Sequence, residues 1–168
     1  MKERVYSVLV VSAAEKMNTA LSSLLPESHF EPVRFVTSIN AARRAWGDRS
    51  YDHVIINSPL KDATGIEFAL NIAESRNTVV LLLVRDETAQ DIRDEAVANG
   101  VFLLSKPVTV SSLSIALDWL ASARENLRKI EKKTLSFEEK MEEKKERKNE
   151  QTKTNKVAKI IEKVQVQN

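Results

Sequence analysis

The 168-residue chain is 42% hydrophobic and 30% charged, with a formal net charge of +2, which suits one domain with its own core plus an appendage. It has no cysteine and only two histidines, His29 and His53, which excludes disulfides and thiolate metal sites and leaves no basis for a histidine-rich one, so no metal or other cofactor is expected. No apolar run reaches the roughly 18–20 residues of a membrane span, and Met1-Lys2-Glu3-Arg4 leads straight into a strand without a signal-peptide pattern, so a cytoplasmic protein is expected.

Strand-like and helix-like patterns alternate to about residue 123. Val5 to Val11 is rich in β-branched residues and apolar on both faces, as a central parallel strand requires. Residues 14–25 place Met17, Leu21, Leu24 and Leu25 on one helical stripe that Pro26 closes. Val33 to Val36 predicts a short strand, and Ser38 an N-cap for the helix through Trp46. His53 to Asn57 reads as a buried strand with a polar tip, followed by a loop with Pro59, Asp62 and Gly65 and a helix to about Ser75. Thr78 to Val84 is the clearest buried strand. The next helix turns Ile92, Ala96 and Val97 inward and stops at Asn99-Gly100. Val101 to Leu104 is a fifth strand, and Lys106-Pro107 leads to the last helix.

Five such β–α pairs with short connections predict an α/β fold, an open parallel sheet with helices on both faces. In these sheets the functional crevice lies beyond the carboxyl ends of the strands. The residues there are Ser12 and Ala13 after strand one, Asn57 at the tip of strand three, Leu83 with Val84-Arg85 at the end of strand four, and Lys106 after strand five.

Together with the Tyr51-Asp52-His53-Val54-Ile55-Ile56-Asn57 strand and Gly65 eight residues on, these positions resemble a CheY-type receiver domain over residues 4 to about 123. The resemblance implies a flavodoxin-like, five-stranded doubly wound fold. It also implies two acidic residues after strand one that hold Mg²⁺, a phospho-accepting aspartate after strand three, a hydroxyl residue after strand four and a lysine after strand five. This chain keeps the lysine, Lys106, and departs elsewhere: Ser12 and Ala13 stand for the acidic pair, Asn57 for the acceptor and Leu83 for the switch hydroxyl. An amide does not attack a phosphoryl donor as a carboxylate does, and no carboxylate remains to ligate a hard cation. The reading is a pseudo-receiver without phosphorylation chemistry, not an enzyme. The rival is phosphorylation at another carboxylate, with Asp62 the nearest.

The two parts of the chain differ in charge: residues 1–123 carry a net −3 and residues 124–168 a net +5. From Ser111 on, Leu113, Leu117, Leu120, Leu127, Ile130, Thr134, Phe137 and Met141 recur at threes and fours, with one gap of seven that Ala123 or Arg124 fills. That heptad-like seam predicts a coiled-coil extension over 124–143 and a parallel homodimer, with Leu120, Leu127, Ile130, Phe137 and Met141 as interface candidates. The alternative is a helix folded back on its own domain. Trp119 lies where core and seam meet, on neither side by spacing alone.

Lys129 to Met141, with Gly100-Val101-Phe102-Leu103-Leu104-Ser105-Lys106-Pro107, is similar to ANTAR-type regulators of firmicute bacteria. The resemblance, over residues 1–143, implies a receiver joined by a coiled coil to a three-helix RNA-binding module that prevents transcription termination, with RNA as partner wherever that module functions. It breaks after Glu143. Residues 144–156 contain no apolar side chain and predict a charged, disordered tail, either a native lysine-rich terminus or an altered or missing output module. Such a run supports salt-sensitive, sequence-blind RNA contact through residues 140–163 as a further alternative.

Overall fold

The computed structural model describes residues 4–75 and 77–166. Five strands and five helices alternate: β1 Tyr6–Val11, α1 Glu15–Leu24, β2 Phe30–Val36, α2 Ile39–Asp48, β3 His53–Asn57, α3 Ile66–Ala73, β4 Val79–Arg85, α4 Asp86–Ala98, β5 Val101–Lys106 and α5 Val110–Gln165. The strands form one parallel sheet in the order β2-β1-β3-β4-β5. The order reverses between β1 and β3, so the crevice expected of an open α/β sheet falls at the carboxyl ends of those two strands.

The central strands β1, β3 and β4 are apolar on both faces because each face carries its own helix layer. Leu9, Val11, Val54, Ile56, Val80 and Leu82 pack with Ile39 and Ala42 of α2, Phe68 and Ile72 of α3, and Ala89 and Ala96 of α4. Val8, Val10, Ile55, Leu81 and Leu83 face the other way, onto Leu21 of α1 and Leu113, Leu117 and Leu120 of α5. Ser38 caps α2 as expected, accepting from the Ala41 N–H at 3.1 Å. The inward face of α4 differs from expectation: Ala89 and Ala96 are buried and Ile92 partly so, whereas Val97 is 71% exposed. Val97 lies just one residue after Ala96, about 100° round the helix from it.

The chain divides into two compact units, one reaching Leu127 and one starting at Arg128. The first corrects part of the expected dimer seam. Leu120 is 1% exposed inside the core and Leu127 packs against the same cluster. Spacing by threes and fours marks an apolar helix face without saying what covers it; at these positions the domain's own sheet does. Ile130, Phe137 and Met141, in the second unit, are exposed.

The charged tail is also corrected: residues 144–165 are helical, continuous with α5. No glycine or proline follows Pro107, and Lys, Glu, Arg and Gln are all good helix formers. The Glu143–Arg147 pair, 4.0 Å apart at i,i+4, adds slight support. Thr152 and Thr154 turn their hydroxyls back onto the Lys148 and Glu150 carbonyls, satisfying them without breaking the ladder. Lack of a buried face does not prevent a helix when every residue tolerates one.

Candidate functional site

β1 ends at Val11, and Ser12 continues the chain with its N–H bonded to the Val36 carbonyl at 2.9 Å. That bond to β2 holds Ser12 fully buried at the strand tip. Asn57, at the tip of β3, donates from Nδ2 to Ser12 Oγ at 3.2 Å. Asn18 of α1 donates to the Ser12 carbonyl at 3.2 Å, and the Ala14 N–H reaches Ser12 Oγ at 3.3 Å. The buried Asn57 Oδ1 and Asn18 Oδ1 have no hydrogen-bond partner. A serine and two amides thus form a neutral polar cluster over the switch point.

Leu83 pairs in register with Asn57 and is completely buried, its side chain in the core between α1 and α5. It fills the end of β4 with packing where a hydroxyl would have reached the crevice. Lys106 donates from Nζ to the Ser58 carbonyl, while the Ser58 N–H bonds the Leu83 carbonyl at 2.9 Å. The strand ends of β3, β4 and β5 are therefore tied together. Burial, and then the like charge of Arg85, holds Lys106 below the ordinary lysine range. The Lys106–Pro107 peptide is cis.

The structure brings Ser12 and Asn57 into contact and sets Leu83 and Lys106 beside them. Ala13 is exposed, and Glu15, the nearest carboxylate in sequence, opens α1 on the surface. A hydroxyl, a methyl and an amide do not fit a hard divalent cation, which needs carboxylate oxygens to offset its charge. Among the described residues no group of three His, Cys, Asp or Glu side chains is placed to hold a metal.

Asp62 has a role that sequence reasoning missed. Its two oxygens accept from the Ile39 and Asn40 N–H groups at 3.0 and 2.9 Å, at the start of α2. Those bonds hold its carboxyl below the usual carboxylate range. Asp62 is thus a second cap for α2 beside Ser38, stabilising donors that lack intrahelical partners.

The family model for the response regulator receiver domain matches residues 8–118. The chain belongs to the response regulator receiver family. It is thus a receiver domain of signal transduction, and solved structures agree on its fold. A signal receiver domain of an HD domain-containing protein from Pseudomonas fluorescens Pf-5 is 23% identical with a TM-score of 0.63, over 79% of this chain and 96% of that one. CheY4, a chemotaxis response regulator of Vibrio cholerae, is 21% identical with a TM-score of 0.59, over 70% of this chain and 99% of that one. A streptococcal protein described among redox sensors evolved from two-component response regulators is 19% identical with a TM-score of 0.62, over 74% of this chain and 54% of that one. No curated protein matches. Among the described residues of this receiver, no helix is long and apolar enough to cross a membrane.

Proposed function

We propose that this receiver works without phosphorylation, as a dimerising protein-interaction module of a response regulator. The observation that carries the reading is the Ser12–Asn57 hydrogen bond at the switch point, a neutral pair in place of carboxylates. With no carboxylate at the switch point, phosphoryl transfer there has neither the acceptor the family uses nor ligands for a charge-neutralising Mg²⁺. Leu83 supports the same reading, since a fully buried leucine has no hydroxyl to reorient towards a phosphate. Asp62 is a poor substitute acceptor because both of its oxygens are engaged at the start of α2. The similarity to ANTAR-type antitermination regulators supports a place upstream of RNA-binding output. Residues 144–165 are one helix rather than a three-helix module, so direct RNA contact is no part of the proposal.

Incubation with acetyl phosphate and Mg²⁺, followed by intact-mass analysis, tests it. The expected result is no added phosphoryl group, and the same result for Asn57→Asp, because Ser12 and Ala13 still provide no carboxylate. A Mg²⁺-dependent gain of one phosphoryl group on the unaltered chain would overturn the proposal.

A further inference from the structure

Within the first unit, α5 is apolar on more than its core side. Leu113, Leu117 and Leu120 are buried, yet Ile115 is exposed and Trp119 is 62% exposed. Continuing from these two at intervals of three and four gives Ala123 and Asn126, partly buried and exposed. In the second unit the same intervals give Ile130, Thr134, Phe137 and Met141, all exposed, Ile130 and Phe137 by 60% and 65%.

The relation between the two sets is one of sequence spacing along α5. Ile115, Asn126 and Phe137 are eleven residues apart in turn, as are Trp119, Ile130 and Met141, and as are Ala123 and Thr134. Eleven residues in three turns is about 3.67 per turn, close to the α-helical value and distinct from the heptad's 3.5. Eleven of the 27 residues from Ile115 to Met141 are charged, yet none of the eight on this row is. After Met141 the row turns basic, with Lys145, Lys148, Thr152, Lys156, Lys159 and Lys163 at the same intervals.

We infer that this hendecad row, from Ile115 to Met141, is the seam on which a second copy of the chain docks, parallel and in register. The inference rests on the dimeric reading above and replaces its leucine seam. A two-fold partner sets each residue opposite its own counterpart, which an uncharged row tolerates and a lysine row opposes. The seam therefore ends at Met141. Asn126 decides the orientation: a parallel pair places the two Asn126 amides together, as single polar seam positions do to fix register, whereas an antiparallel overlap of the same stretch places Asn126 against Ile130. Trp119 is the anchor, a large aromatic exposed beside its own core.

Because the chain lacks cysteine, single-cysteine variants report the seam directly. Ile130→Cys and Phe137→Cys are expected to form disulfide-linked dimers under mild oxidation, and Leu135→Cys, exposed but about 140° round the helix from Ile130, is not. Trp119→Ala is expected to raise the dimer dissociation constant at least tenfold by sedimentation, with an unchanged circular dichroism spectrum. A dimer that crosslinks as well through Leu135→Cys, or ignores Trp119→Ala, overturns the seam and leaves the dimeric reading standing. A wild-type monomer at micromolar concentration overturns both.

Discussion

At Gly65 the backbone has φ +80°, and a Cβ there would stand 2.8 Å from Ile56 Cγ2 and 3.1 Å from Ile39 Cδ1. Both the conformation and the space exclude a side chain between the β3–α3 loop and the core. Gly65→Ala is expected to cost about 1–3 kcal/mol, measured by thermal denaturation, since strain and overpacking add. The same loop shows what a sequence conceals. Asn57 is legible as a strand tip because it ends an apolar run, and Ser38 as a cap because a helical pattern follows it. Asp62 reads only as a loop carboxylate. Its partners, Ile39 and Asn40, lie 23 and 22 residues earlier, beyond the range of any local pattern.

Among the elements, α5 is tied to the sheet by a partly buried charge pair. Arg124 Nε lies 3.1 Å from Asp52 Oδ1, with the two side chains 9% and 19% exposed. Asp52 also accepts from the Ser7 N–H and hydroxyl at 2.9 and 3.0 Å. Burial pushes the Asp52 carboxyl up, but the Ser7 bonds and then Arg124 outweigh it, and its pKa lies below the ordinary value. Nearby, the Tyr6 hydroxyl donates to Glu125 at 2.7 Å. Arg124→Ala should cost about 2–3 kcal/mol in chemical denaturation. That is less than the roughly 3–5 of a wholly buried broken pair, because Ser7 still satisfies Asp52. Spacing put Ala123 or Arg124 in the gap of a leucine seam and could not tell a core face from a partner face. The missing signal was Asp52, 72 residues away. The strands were far more legible: β3 runs from His53 to Asn57 as read, and β4 differs from Thr78–Val84 by one residue at each end. Continuous apolar runs of this length specify a strand buried on both faces without help from distant residues.

For the whole molecule, His53 sets an acid limit. It is 2% exposed between the Tyr6 and Phe30 rings, and neither ring nitrogen has a hydrogen-bond partner. Burial drives its pKa down to about 4, although Asp52 pulls the other way. The fold thus keeps His53 neutral while the unfolded chain protonates it near pH 6.5. Stability is then fully present above pH 6.5 and declines towards pH 4, by up to about 1.4 kcal/mol per unit. Urea unfolding across that window should show the slope, and His53→Leu should flatten it; an unchanged slope in the variant would refute the assignment.

The sheet order has one consequence for how copies of this protein meet. β2 is an edge strand, and Pro32 sits where its register with β1 shifts between Tyr6 and Val8. Proline offers no N–H, and Glu31 and Arg34 flank it with charge, so the open rim is a broken template for another strand. Crowded chains meeting at that rim find no ladder to extend. Amyloid-like zipping is discouraged there.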